Sequence, residues 1–226
     1  METCAILFVK EPVAGKVKTR LQSVCSAEEA ATLYQAFIRD SAVLLAASSA
    51  ERKVIAYAPA GAEGALRDLI GAGPFDYVAQ PQTDLGGRMD RLLRWSFSQG
   101  AQRTVVIGSD TPSLPPDYVD QGLALLKEKK VVLGPSTDGG YYLVGQGEAA
   151  SEIFVGIEWS SGRVLEQSVE KVGMGDLGLL PVWYDVDTPP EAGFLKMHLE
   201  AMRKAGSTLG RHSLEVLRGL ELPPPS

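Results

Sequence analysis

Residues 104–116 read TVVIGSDTPSLPP. Thr104–Gly108 is a short, β-branched apolar run of the kind found in strands covered on both faces. The run stops at a glycine, and one carboxylate, Asp110, follows. Pro112 disfavours the helical region for Thr111 and keeps it extended, so the chain turns away and leaves Asp110 at the sheet edge. Pro115-Pro116 then opens a helix expected to reach about Lys129.

The same order of buried strand, polar turn and helix recurs upstream. Cys4–Val9 (CAILFV) reads as a buried strand, and Ser26-Ala27-Glu28-Glu29 as a capping box. Apolar residues at helical spacing follow, among them Leu33, Phe37, Leu44 and Leu45. Arg52–Ala58 is expected as the second strand, then a helix near 62–70, a strand over 75–80 and a helix over 87–99. After Gly134 the rhythm changes. Two strands come close around Asp138-Gly139-Gly140, then a helix near 162–172, a strand over 179–184 and a helix from Pro190. The expected class is α/β with a mostly parallel, mixed sheet. Residues 1–206 are expected to form one domain, and 207–226 a helical patch with a loose tail ending in Pro223-Pro224-Pro225.

Composition narrows the function. The 226 residues are 45% hydrophobic and carry a net charge of −6, which suits one globular domain and disfavours general nucleic-acid binding. Cys4 and Cys25 form no C-x-x-C pair and no disulfide framework. The first residues, METCAIL, lack the basic start of a signal peptide, and no apolar run approaches the roughly 20 residues of a membrane span. A cytoplasmic protein is expected.

In open α/β sheets, ligands sit outside the carboxyl ends of the strands, and the notable polar residues fall there. In the loop KEPVAGKVKTR (10–20), Gly15 with Lys16, Lys18 and Arg20 can present amides and cations to a phosphate chain. A solvated basic loop reads equally well. Walker A and dinucleotide fingerprints are both absent. Asp110 suits a magnesium ion, which takes one or two carboxylates plus phosphates. In YDVDTP (184–189), Asp187 or Thr188 can cap the next helix, which leaves Asp185 or Asp187 free for a metal. QPQTDLGGRM (80–89) joins a strand end to a helix start, with Gln80, Gly86, Gly87 and Arg88 near amides that favour anions. In EWSSG (158–162), Trp159 is either core or the wall of an acceptor pocket, with Ser160 or Ser161 capping a helix. Asp138-Gly139-Gly140 is either a tight hairpin or a place for close backbone approach.

Taken in order, FVKEPVAGKVKTRL (8–21), QTDLGGRM (82–89), GSDTPSLP (108–115), GPSTDGGYYLVG (134–145), WSS (159–161) and DVDTP (185–189) resemble a bacterial family of GT-A-like nucleotide-diphospho-sugar transferases. Its members carry the label glycosyltransferase, and some are linked to arsenosugar biosynthesis. The same order is similar to 2-phospholactate guanylyltransferase, whose first loop ends in a like Lys-Ser-Arg-Leu. The resemblance implies a GT-A Rossmann-like α/β/α sandwich. It implies that Gly15, Lys16, Lys18 and Arg20 embrace phosphates, and that Gln80, Gly86 and Arg88 border the nucleotide. Asp110 and Asp187 would hold Mg²⁺ or Mn²⁺. Asp138, with Gly139, Gly140, Tyr141, Trp159, Ser160 and Ser161, would face the acceptor. Two departures stand out: Tyr141 replaces the Thr of the guanylyltransferases, and Ser109-Asp110-Thr111 supplies one acid where D-x-D supplies two.

The expectation is a Mg-assisted transferase acting on a nucleotide or nucleotide sugar and a small-molecule acceptor, with Lys16, Lys18, Arg20, Asp110 and Asp138 as catalytic candidates. Glycosyl transfer comes first, nucleotidyl transfer with release of pyrophosphate second, and a non-catalytic nucleotide sensor third.

Overall fold

A computed structural model describes residues 2–147 and 152–224. Seven strands form one sheet in the order β3-β2-β1-β4-β6-β5-β7. They are β1 (Thr3–Lys10), β2 (Arg52–Ala58), β3 (Phe75–Ala79), β4 (Arg103–Ile107), β5 (Val131–Pro135), β6 (Tyr141–Gly147) and β7 (Leu177–Leu179). All neighbours run parallel except β6, which is antiparallel to both β4 and β5. That reversal brings the start of β6 to the rim where β1, β4 and β5 end.

The helices are α1 (Ala27–Ala47), α2 (Glu63–Ile70), α3 (Leu85–Ser98), α4 (Pro116–Leu125), α5 (Val164–Val169), α6 (Pro189–Lys204) and α7 (Arg211–Leu217). Alternation along the strands divides them into two layers. Ala5, Leu7 and Val9 of β1 and Val105 and Ile107 of β4 pack with Leu33 and Phe37 of α1, Val119 of α4, Leu195 of α6 and Leu217 of α7. Cys4, Ile6 and Val106 point the other way, toward Met89, Leu92 and Leu93 of α3 and toward Ile153 and Phe154. A sheet buried on both faces needs apolar residues at every position, which explains the unbroken runs. Each fully buried side chain of this size contributes about 1.5–3 kcal/mol. Burial also pushes the Cys4 thiol up to about 12, so it is an inert core group.

Local chemistry sets the ends. Ser26 Oγ accepts the Glu29 amide at 3.1 Å and the Glu29 carboxylate accepts the Ser26 amide at 2.8 Å, the reciprocal cap expected for α1. Near the C-terminus, Asp40 of α1 accepts the amides of His212 and Ser213 at 3.1 and 2.8 Å, and so caps α7 from a distant helix. The tail is held as far as Pro223, whose carbonyl backs onto Gly193 of α6. Pro225 lies outside the described residues.

Three expected boundaries move. The strand expected over 179–184 is instead the three-residue β7, followed by one bridge between Trp183 and Ser136. Pro181 has no amide for a ladder, and its carbonyl accepts the Tyr142 hydroxyl at 2.9 Å. The helix expected over 162–172 shrinks to α5, which starts after Gly162 packs against Gly139 and ends at Val169. The helix expected to Lys129 ends at Leu125.

Candidate active site

The chain leaves β1 toward β2 and β3 on one side, then returns to β4 on the other. Loops that depart in opposite directions open a crevice at the carboxyl ends, the usual ligand position in open α/β sheets. A cleft of about 670 Å³ fills that crevice. Lys16, Lys18, Arg20, Gln80, Arg88, Asp110, Asp138, Gly140, Tyr141, Trp159, Ser160, Ser161, Asp185 and Asp187 all line it. Gly15, Gly86 and Gly139 do not, and serve the backbone instead.

The first wall is the loop after β1. Gly15 turns it with φ 76°. Lys16 and Arg20 are exposed, and neither lies within ion-pair distance of a described carboxylate. Lys18 differs. Its backbone is left-handed, φ 47° and ψ 40°, at the start of a 3-10 turn over Thr19–Ser23. For a residue with a Cβ this conformation costs roughly 1–2 kcal/mol. The turn drives the side chain inward, where it is only 4% exposed. Its Nζ forms an ion pair with Asp110 Oδ1 at 2.5 Å and donates to Asp187 Oδ1 at 2.8 Å and the Val186 carbonyl at 2.7 Å. It also lies over the rings of Phe37 and Tyr34, at 5.4 and 5.8 Å from their centres. Burial alone would lower the Lys18 ammonium, but Asp110 and Asp187 outweigh it and hold it above its ordinary value.

Opposite the loop stand the acids. The Val186 amide donates to the Asp110 carbonyl at 3.0 Å, which pins the 185–187 segment to the end of β4. Val186 is fully buried, so Asp185 and Asp187 share the cleft side. Glu191 accepts the amides of Asp187 and Thr188 at 2.7 Å each and caps α6, which leaves the Asp187 carboxylate for Lys18. Burial tends to raise Asp187, but Lys18 and then Arg20 and Lys10 hold it below the usual carboxylate range. Asp185 goes the other way. Burial, then the carboxylates of Asp138, Asp187 and Asp110, push it up to about 7.

Asp110 and Asp187 do not fit a divalent ion between them as the side chains stand. The position between their Oδ1 atoms is filled by the Lys18 ammonium. Among the described residues there is also no group of three or more His, Cys, Asp or Glu side chains arranged to hold a metal.

The third wall is polar on one side and apolar on the other. Gln80, buried, donates its amide to the carbonyls of Ala56 and Val9 at 2.7 and 3.2 Å and so ties the ends of β2 and β1. Arg88 donates to the Thr83 carbonyl at 2.8 Å and to Gln80 Oε1 at 3.4 Å. One of the amides expected to draw an anion at the start of α3 is already engaged, because Asp84 Oδ1 accepts the Gly87 amide at 2.8 Å. Gly86 has another reason to be glycine: a Cβ there would lie 2.6 Å from Cζ2 of Trp159, so the indole rests directly against the helix backbone.

The hairpin forms the far wall. Asp138 Oδ1 accepts the Gly140 amide at 2.8 Å and the Ser136 hydroxyl, an Asx turn that orients the carboxylate. Gly139 has φ 88°, and a Cβ on it would run into the Gly162 carbonyl. The close approach foreseen for this glycine is thus made by the chain itself. Ser161 stays within its own turn, donating to the Glu158 carbonyl at 2.7 Å. Neither serine caps α5, whose N-cap is Arg163.

Tyr34 and Ser109 were not foreseen. Their hydroxyls meet at 2.8 Å beneath Lys18, and the Lys10 amide donates to Tyr34 at 3.1 Å. Burial, then Asp110, push the Tyr34 phenol up to about 12. In sequence Tyr34 is one more residue of an apolar helical face. Lys10, Leu85 and Met89 also line the cleft.

Comparison with known proteins places this geometry. Residues 42–161 match the family described as an uncharacterized protein conserved in bacteria (DUF2064). The chain belongs to that family. A crystal structure from Desulfovibrio desulfuricans G20, provisionally described as a nucleotide-diphospho-sugar transferase, is 33% identical over 97% of this chain and 95% of its own, with a TM-score of 0.87. Two more distant structures share the fold at 10% identity. One is 4-diphosphocytidyl-2C-methyl-D-erythritol synthase from Anaerococcus prevotii DSM 20548, with a TM-score of 0.56 over 88% of this chain and 96% of its own. The other is CMP:2-keto-3-deoxy-manno-octonic acid synthetase with CTP, with a TM-score of 0.54 over 90% and 100%. A search of curated proteins finds no significant relative. This DUF2064 chain therefore has the Rossmann-like fold of nucleotide-using transferases, and among its described residues no helix is long and apolar enough to cross a membrane.

Proposed function

We propose that this DUF2064 protein transfers a glycosyl group from a nucleotide-diphospho-sugar to a small acceptor. The observation that carries the reading is the placement on the rim of the switch-point cleft of Lys16 and Arg20, which pair with no carboxylate among the described residues. Cations on the rim of such a crevice stabilise the charge that grows on a departing diphosphate, with an effect that solvent screens. Arg88 and the apolar side of the cleft, with Leu85, Met89 and Trp159, suit the nucleoside. Asp138, held by Ser136 and Gly140, is assigned to the acceptor hydroxyl, with Tyr141, Ser160 and Ser161 around it. The provisional name of the 33%-identical relative supports the sugar donor.

A second reading, nucleotidyl transfer, is favoured by Lys10, Lys16 and Arg20 all lining the cleft, since a triphosphate carries more charge than a diphosphosugar. The CTP bound in a structure of the same fold accords with it. No step in either reading is routed through a metal, because Lys18 holds the acids that would bind it.

Thermal-shift measurements with a panel of nucleoside triphosphates and nucleotide sugars test both. A ligand at a hundred times its Kd stabilises the fold by about 2.7 kcal/mol. Selective stabilisation by a nucleotide sugar supports glycosyl transfer, and by a triphosphate alone the second reading. A flat panel sinks both.

A further inference from the structure

We propose that the Lys18 ammonium is the built-in counter-ion of the Asp110–Asp187 pair and excludes divalent cations from it in the nucleotide-free protein. The Lys18 ammonium is ion-paired with Asp110 Oδ1 at 2.5 Å and donates to Asp187 Oδ1 at 2.8 Å and to the Val186 carbonyl at 2.7 Å. Magnesium would need the same carboxylate oxygens at about 2.0–2.1 Å. Nitrogen and metal cannot share the space between the two Oδ1 atoms, so one replaces the other.

Lys18 is also held there by more than charge. Lys16 and Arg20, two residues to either side, keep ordinary φ values and stay in solvent. Lys18 alone takes the left-handed conformation, and the rings of Phe37 and Tyr34 flank its ammonium. A lysine meant only to reach for phosphate needs neither the unfavourable backbone nor the burial. The pair that looks in sequence like a metal site is closed by the chain's own cation, and a divalent ion reaches it only by evicting Lys18.

The inference concerns the proposed active cleft but is tested without nucleotide, so its failure leaves the transferase reading standing. Mn²⁺ is titrated into wild type, Lys18→Met, Lys18→Arg and Lys18→Met/Asp187→Asn, and free Mn²⁺ is followed by electron paramagnetic resonance. Lys18→Met is expected to bind Mn²⁺ about tenfold or more tighter than wild type, because two neighbouring carboxylates are left without their cation. Lys18→Arg is expected to behave as wild type, and Asp187→Asn to remove the gain. No gain in Lys18→Met, or tight wild-type binding that Asp110→Asn abolishes, overturns the proposal. Because Lys18→Met removes a buried partner, reductive methylation of the wild-type protein gives a second readout. Lys16 should react and Lys18 stay protected, with or without excess Mn²⁺. Labelling of Lys18 at the rate of Lys16, or on adding Mn²⁺ alone, overturns it equally.

Discussion

The α-carbon of Gly139 stands against the carbonyl of Gly162, with the backbone at φ 88° and the Gly139 carbonyl accepting the Leu165 amide at 2.8 Å. The hairpin between β5 and β6 is thereby clasped to the start of α5. Gly139→Ala should cost about 1–3 kcal/mol from the left-handed backbone alone, before the clash is counted. Gly140, at an ordinary φ and with Asp138 Oδ1 3.2 Å from its virtual Cβ, should tolerate alanine better. At about 2–4 °C per kcal/mol for a chain of this size, the two melting temperatures should separate by several degrees. Equal melting temperatures would show that the clasp is not what requires glycine.

Lys16 and Arg20 lead to the opposite expectation. Both are exposed and, among the described residues, pair with no carboxylate, so Lys16→Ala and Arg20→Ala should leave stability within about 0.5 kcal/mol of wild type. Each should weaken nucleotide binding by about tenfold at low salt, since charge-assisted bonds to phosphate contribute about 1.5–3 kcal/mol. The loss should shrink as ionic strength rises. Calorimetric titration at two salt concentrations checks this, and unchanged affinity in both variants removes the loop from the site.

The buried ammonium of Lys18 makes its two partners interdependent. Asp110→Asn or Asp187→Asn alone leaves one carboxylate and the Val186 carbonyl for Nζ, and about 1 kcal/mol should be lost. Both together strand a positive charge in a pocket that leaves it 4% exposed, which costs about 3–5 kcal/mol. The excess over additivity, read from urea denaturation of the four proteins, measures the sharing. Strict additivity would mean that Lys18 is not held jointly.

How far such relations can be read in a sequence depends on their range. The Ser26–Glu29 cap and the bounds of β2 are local, set by residues within a turn or a run of each other, and both were legible. The rim of the sheet was legible too, because a buried run followed by an acid or a basic loop marks where a strand ends. Lys18 was not. In Lys16-Val17-Lys18-Thr19-Arg20 three cations alternate alike, and only a left-handed backbone, uncommon for lysine, sends one inward. The cap at Asp84 was not legible, because Gly86 and Gly87 just after it suit an open helix end equally well. The role of Gly139 depends on Gly162, which no local pattern connects to it.

A ladder of polar contacts beside the acids predicts how stability varies with pH. The Trp183 indole donates to Ser113 Oγ at 3.2 Å, Ser113 donates to the Tyr184 hydroxyl at 2.9 Å, and that hydroxyl lies 2.7 Å from His198 Nδ1. Tyr184 Oη and Nδ1 share one proton, and which of them donates follows the tautomer of the imidazole. Burial among Trp183, Tyr184 and Phe194 lowers His198 below its ordinary value of 6.5. The unfolded chain then binds more protons than the folded one near that pH, so stability rises with pH across the window. The contribution is complete above pH 6.5, falls as pH drops through 6.5 toward the folded-state value, and levels off below it. Melting temperatures of wild type and His198→Phe, taken at intervals from about pH 5 to pH 8, isolate the histidine's share. Wild type should lose more than the variant on going from pH 8 to pH 5, and parallel curves would show that His198 takes up its proton without disturbing the ladder.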